Sequence, residues 1–342
     1  MKTKIFKLFV LFTFLIAYTN NSNGQEASLA VKKIWDSGKH NAFPDLIFAK
    51  GFYYVTFREG TSHVDNSNDG VVRIMRSKDF DQWEQVALFD HPDADVREAR
   101  LSIMPDGRIL VNLAVGLWKN KTYEWLNSFI SFSDKEGKNF SPIKKASIDP
   151  SMNLINEWVW RVTWNNNVGY GILYRSVGDQ KDWEVYLVKT TDGVQYDLIS
   201  QIPVSGRPNE STIRFDNKGK LYAMIRREAD DKLGVLSTSD FPYQQWQFNP
   251  LSWRLGGPNF LFLGKDRLVM GSRYHQESQA NTGIFVTDLK GKLLKTIVLP
   301  SGGDNSYPGM AINKGKLHVV YYSSHEGKSA IYATSIPVKD LK

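Results

Sequence analysis

Short apolar runs separated by polar turns recur along the whole chain, and no long segment carries the 3.6-residue period of an amphipathic helix. The stretch from Asn209 to Glu228 shows the unit. Asn209–Phe215 is followed by the turn Asp216-Asn217-Lys218-Gly219-Lys220 and then by Leu221–Glu228. Two runs around a glycine-containing turn predict a β-hairpin. The same pattern surrounds turns at Gly51, Gly107, Asn166, Lys265 and Gly315, so it appears six times. The spacing is roughly 50 residues, with room for about four strands per repeat, which predicts an all-β chain folded as a six-bladed β-propeller of four-stranded antiparallel blades.

The third and fourth strands of a repeat are joined by polar turns of a shared type. Ser77-Lys78-Asp79 leads to Trp83, Ser133-Asp134 to Phe140, Thr190-Thr191-Asp192-Gly193 to Tyr196, and Ser239-Asp240 to Trp246. Asp and Ser suit the turn backbone, and the aromatic is expected between neighbouring blades, a structural role. Leu29–Trp35 precedes the first hairpin, and Ser329–Val338 is the last strand. The expected arrangement pairs them, with the N-terminal strand as the outer strand of the sixth blade, which closes the ring and removes an open edge.

Three lysines, Lys2, Lys4 and Lys7, precede the apolar run Leu8–Tyr18, and a polar stretch ends at Gly24. This reads as a signal peptide over residues 1–24, with one propeller domain over 26–342. The apolar run is short for a membrane span. The 342 residues include no Cys, so neither a lipid-modified cysteine nor a disulfide framework is available. The expectation is a soluble monomer, secreted or periplasmic, with no transmembrane segment. The formal charge of +7 falls to +4 without the three leader lysines. The basic residues are dispersed, which points away from nucleic acid. A mild positive field suits an anionic substrate. The histidines are scattered, so no metal ligand set or cofactor is read from spacing.

Antiparallel pairing sets the start of one strand beside the end of the next, so Glu210 should meet Arg226 or Arg227 at one rim. In isolation that is a rim salt bridge. Around the ring, however, the same positions hold Asp45, Arg58, Glu59, Arg97, Glu98, Arg100, Glu157, Arg161, Arg175, Asn259, Arg273, Tyr307, Tyr321 and Tyr322, with His63, Asp65 and Asp69 in the loop after Arg58 and His325 and Glu326 in the loop after Tyr322. The opposite turns show no such convergence. This rim is the expected pocket.

The order Asn209-Glu210, Arg226 or Arg227, Arg273, Tyr307 resembles the sialidase (neuraminidase) superfamily. There a Glu opens the fourth blade, an Arg ends its second strand, an Arg follows in the fifth blade, and a Tyr opens the sixth. The loose Asp-box turns, versions of Ser-x-Asp-x-Gly-x-x-Trp, extend the likeness over the mature chain. Ala42-Phe43-Pro44-Asp45-Leu46 and Phe57-Arg58-Glu59-Gly60 resemble the sialidase-like proteins of polysaccharide-degrading bacteria. The resemblance implies a retaining exo-glycosidase acting on a glycan with a terminal acidic sugar. Tyr307 would be the nucleophile and Glu210 the base that activates it. Arg226 or Arg227, together with Arg273, would grip a substrate carboxylate. His63, Asp65 and Asp69 are the candidate acids, His63 because imidazole titrates near neutrality. Where the family's first blade has Arg-Ile-Pro, this chain has Ala42-Phe43-Pro44, so that arginine is missing and Arg58 or Arg97 would stand in. Glu98, Arg161 and Tyr322 complete the substrate-binding set. Two other readings stand beside this one. The first is a propeller glycosidase using two carboxylates from Glu59, Glu98, Glu157 and Glu210 on a plant or algal polysaccharide. The second is a non-catalytic carbohydrate-binding propeller.

Overall fold

A computed structural model describes residues 29–64, 66–177 and 182–342. The expected signal peptide, residues 1–24, and Asp65 lie outside the described residues. Six antiparallel sheets form a six-bladed propeller. Blade 1 comprises His40–Ala49, Phe52–Gly60, Val71–Ser77 and Glu84–Phe89. Blade 2 comprises Asp95–Ile103, Ile109–Lys119, Thr122–Phe132 and Lys144–Lys145. Blade 3 comprises Glu157–Asn165, Val168–Val177, Asp182–Thr190 and Gln195–Gln201, with Ser147–Ile148 added in parallel outside. Blade 4 comprises Pro208–Phe215, Leu221–Arg227, Leu233–Ser239 and Gln247–Arg254. Blade 5 comprises Asn259–Leu263, Arg267–His275, Ala280–Asp288 and Leu293–Leu299. Blade 6 comprises Asn305–Asn313, Lys316–Ser323 and Ala330–Pro337, and Val31–Trp35 pairs antiparallel with its third strand. Helix among the described residues is limited to the short 3-10 turns Pro150–Met152 and Val338–Leu341.

Each first strand touches the first strand of the next blade all the way round, so the six line a central channel. Hairpin turns such as Lys50-Gly51, Asn166-Asn167 and Lys314-Gly315 place both residues at positive φ, the geometry that matches strand twist. The polar turns between third and fourth strands work through their carboxylates. Asp79 accepts the backbone N–H of Asp81 and Gln82, and Asp192 those of Val194 and Gln195. The aromatics that follow reach the preceding blade: Phe140 meets Phe89, and Trp246 donates to Ser200.

Five of the six first strands carry a β-bulge at the same place, where two residues face one on the second strand. The bulged pairs are Phe43-Pro44, Glu98-Ala99, Trp160-Arg161, Asn209-Glu210 and Tyr307-Pro308. Phe43, Glu98 and Tyr307 have φ of 58°, 54° and 53°, and Ser306 has 113°. A bulge re-aims a side chain that regular alternation would send to a sheet face, and non-glycine residues held at positive φ gather at functional sites. The bulges are why several of these strands begin before the hydrophobic pattern does: blade 6 opens at Asn305, three residues ahead of the apolar run from Pro308.

Candidate functional site

The bulge in blade 4 aims Glu210 at the channel mouth, and the bulge in blade 6 aims Tyr307 at Glu210. The Tyr307 hydroxyl donates to Glu210 Oε1 at 2.5 Å. Arg226, on the second strand of blade 4, holds Glu210 Oε2 at 2.7 Å and donates to the Tyr307 oxygen at 3.3 Å. Gly257 supplies its N–H to Glu210 Oε2 at 2.9 Å. Tyr307 is 6 % exposed and Glu210 7 %. Burial pushes the Tyr307 phenol well above its ordinary value, and the Glu210 and Glu98 carboxyls push the same way. Burial would also raise Glu210, but Arg226 and the Tyr307 hydroxyl outweigh it and hold the carboxyl below its ordinary value. The result is an ionised carboxylate hydrogen-bonded to a neutral phenol. The segment Leu255-Gly256-Gly257-Pro258 is more than a connection between blades. Gly257 has φ of 62°, and a Cβ there would lie 2.4 Å from Tyr307 Cγ.

A second cluster faces the first across the aromatic floor. Asp304 Oδ2 binds His40 Nε2 at 2.9 Å and His63 Nδ1 at 2.7 Å, while Oδ1 accepts from the Tyr322 hydroxyl at 2.7 Å. Arg273 lies 3.7 Å from Asp304 Oδ1, donates to the Asn305 carbonyl, and reaches the Tyr322 oxygen at 3.3 Å. Burial opposes ionisation of Asp304, but the two histidines and Tyr322 hold its carboxyl far below the ordinary range. Burial lowers His63, against the pull of Asp304. Here the reading of scattered histidines is corrected: His40, His63 and Asp304 offer ligand atoms within 4.8 Å of one another, a group able to hold a metal ion. Their separations in sequence hid it. Asp304 and His40 are the residues sequence reasoning missed. Neither sits in a recognisable motif, and only the closeness of Asp304 to Tyr307 hinted at it.

Phe43 joins the two clusters. Its ring lies 4.9 Å from those of His63 and Tyr307 and 5.5 Å from Tyr322. Arg97 lies over it at 5.0 Å, and Arg100 stacks on Trp160 at 4.1 Å. Both substitutes for the missing first-blade arginine are anchored on Asp95, Arg58 at 2.8 Å and Arg97 at 3.3 Å. Arg97 also approaches Glu98 at 3.3 Å and donates to the His63 carbonyl. Glu98 is pushed up by burial, opposed by Arg97, with Glu210 adding to the rise. Among the described residues, Arg97 Nε and Nη1, Arg100 Nη2 and Glu98 Oε2 meet only in ion pairs of 3.3 to 3.7 Å, and Arg100 Nε and His40 Nδ1 are buried without a hydrogen bond.

Four expected residues lie elsewhere. Arg227 turns to the opposite face of its strand, pairing with Asp231 and the Leu233 carbonyl, because neighbours alternate. Arg161 grips both oxygens of Asp45, at 2.8 and 2.9 Å, deep in the channel. Asp69 accepts from the Thr61 N–H and hydroxyl and from Ser67; burial opposes these bonds, but they hold it at about 2. It therefore ties its own loop. Glu157 accepts from the Ser128 N–H and hydroxyl and is pushed up by burial to about 7.

The fold and cluster together define a six-bladed propeller with a Tyr–Glu–Arg centre at one mouth of its channel. The chain matches no protein-family profile and no curated protein. Among solved structures it is similar to a protein of unknown function from Dyadobacter fermentans DSM 18053, with a TM-score of 0.77, 17 % identity, and 90 % of this chain and 99 % of that one covered. Trypanosoma rangeli sialidase, as a covalent intermediate with 2,3-difluorosialic acid, gives a TM-score of 0.72 at 9 % identity over 92 % of this chain. The match takes in 60 % of the sialidase, so the chain spans about three-fifths of that protein. An ulvan lyase of polysaccharide lyase family PL25 gives 0.54 at 12 % identity, over 88 % of this chain and 81 % of the lyase. At these identities the likeness is one of fold. No helix among the described residues is long and apolar enough to cross a membrane.

Proposed function

We propose that this protein is an exo-acting glycoside hydrolase of the sialidase type that removes a terminal acidic sugar from a glycan. The observation that carries the reading is the 2.5 Å hydrogen bond from Tyr307 to an ionised Glu210, with Arg226 touching both. As the Tyr307 oxygen attacks the anomeric carbon, Glu210 takes the phenolic proton and the bond to the leaving sugar breaks. The leaving oxygen needs a proton, which we assign to His63. Asp304 orients that imidazole, and His63, unlike Asp69, is not fixed as an anion. Water then attacks the anomeric carbon and gives a proton to the His63 imidazole that donated one earlier; the tyrosyl–sugar bond breaks, and the proton on Glu210 returns to Tyr307. A phenol approaches an anionic sugar with less repulsion than a carboxylate does, and an adjacent base makes it nucleophilic. Arg273, whose Nη1 has no partner among the described residues, is suited to the substrate carboxylate, with the charge of Arg97 nearby over the Phe43 ring. The likeness in fold to a sialidase that forms a covalent intermediate supports this reading.

A second reading rests on Glu98. Burial raises its carboxyl to about 7 against the pull of Arg97, while Glu210 is held below its ordinary value, and such a split suits the division of labour of a two-carboxylate glycosidase. Release of sugar from a fluorogenic α-sialoside between pH 4 and 8 tests the choice. Loss of that release in Tyr307→Phe supports the tyrosine mechanism. Full activity in Tyr307→Phe with loss in Glu98→Gln moves the assignment to the carboxylate pair. Glycan binding by a folded protein that releases no sugar from sialosides, uronides or neutral glycans leaves a binding propeller.

A further inference from the structure

The channel has a second mouth, where the six first strands end beside the hairpin turns. A cavity of about 510 Å³ opens there, lined by the ends of all six strands. Its wall is largely apolar, with Phe48, Ile103, Trp164, Phe262 and Ile312 lining it beside Ser102 and Thr163, and Ile103 and Ile312 are among the more exposed large apolar residues of the described chain. Arg161, paired with Asp45, is also part of the lining.

One further cation stands in this wall. Arg214 donates from Nη1 to Thr163 Oγ1 at 2.9 Å and the Ile213 carbonyl at 2.8 Å, and from Nη2 to Asn259 Oδ1 at 3.1 Å. All three acceptors are neutral, and among the described residues no carboxylate pairs with this guanidinium. Asp45 is committed, with its oxygens on Arg161 and the Leu101 N–H. Burial and the neighbouring Arg161 charge lower Arg214 to about 9, and Asp45 opposes them only from a distance. Arg214 is half-buried, so water reaches part of it, yet no carboxylate answers its charge directly, and a partly desolvated charge gains from a counter-ion.

We propose that this mouth binds a small organic carboxylate with an apolar body, its carboxylate on Arg214 and its body against Trp164 and Phe262. An inorganic anion would answer the charge but leave the apolar wall wet. A neutral apolar ligand would leave the charge unanswered. The volume suits one compact ligand. The site is independent of the glycosidase reading, since it shares no residue with the Tyr307 centre.

Calorimetric titration of the wild-type protein with phenylacetate, phenylacetamide and acetate tests this. Phenylacetate should bind saturably, with the amide and acetate each at least about tenfold weaker. Arg214→Met should bind phenylacetate at least about tenfold more weakly, Arg214→Lys should retain much of the affinity, and Tyr307→Phe should bind like wild type. Equal binding of acid and amide by the wild type overturns the proposal without any variant. So does undiminished phenylacetate binding by Arg214→Met, or absence of phenylacetate binding altogether.

Discussion

The two mouths of the channel are built from the same six strands, yet they treat charge in opposite ways. At the strand starts, cations and carboxylates interlock: Arg226 with Glu210, Arg58 and Arg97 with Asp95, and Asp304 with two histidines. At the strand ends, Arg214 has only neutral acceptors inside an apolar wall. The difference lies in the backbone. Bulges at the starts add a residue and turn polar side chains inward, while the ends keep regular alternation and present their apolar faces. A pre-paired cluster is organised before substrate arrives, which is what transition-state stabilisation requires. An unpaired cation favours binding a counter-ion.

The contrast breaks most sharply at Tyr307. On the proposed mechanism its replacement by Phe should lower sugar release by about a thousandfold or more, with circular dichroism and melting near wild type, because the proposed nucleophile is lost and the ring kept. Next is Asp304→Asn. Burial lowers His63 and Asp304 raises it, so removing the charge should depress His63 further. The high-pH limb of the activity profile should move to lower pH, and kcat should fall by about ten- to a hundredfold. Gly257→Ala places a methyl against the Tyr307 ring at positive φ. We expect a loss of about 1–3 kcal/mol in denaturant unfolding, and a kcat affected more than KM.

The pH dependence of stability sharpens the comparison further. Buried Glu157 is raised to about 7 from its ordinary value, so the folded state holds a proton the unfolded chain releases. Its contribution is therefore complete at low pH and is lost as pH rises through about 7. Melting temperature should fall between pH 5 and 8, and Glu157→Gln should flatten that fall, by about 3 kcal/mol at most. The smallest effect belongs to the far mouth. Phenylacetate at ten times its dissociation constant should raise the melting point by about 2 °C and leave sugar release unchanged.

What the sequence determined by itself follows from short-range physics. Apolar runs, glycine- and asparagine-containing turns and their spacing specify six hairpins, and local turn chemistry registers each one. Antiparallel pairing within a single hairpin was enough to bring Glu210 to an arginine. Only the tertiary structure decided which arginine, because the bulge at Asn209-Glu210 resets alternation so that Arg226 faces Glu210 and Arg227 does not. It also decided every partnership between blades. Asp45 and Arg161 are 116 residues apart, and His63 and Asp304 are 241 apart. No local propensity encodes such pairs; they exist because ring packing brings six strand ends together, and the charge of each group acts only once burial has removed the water between them.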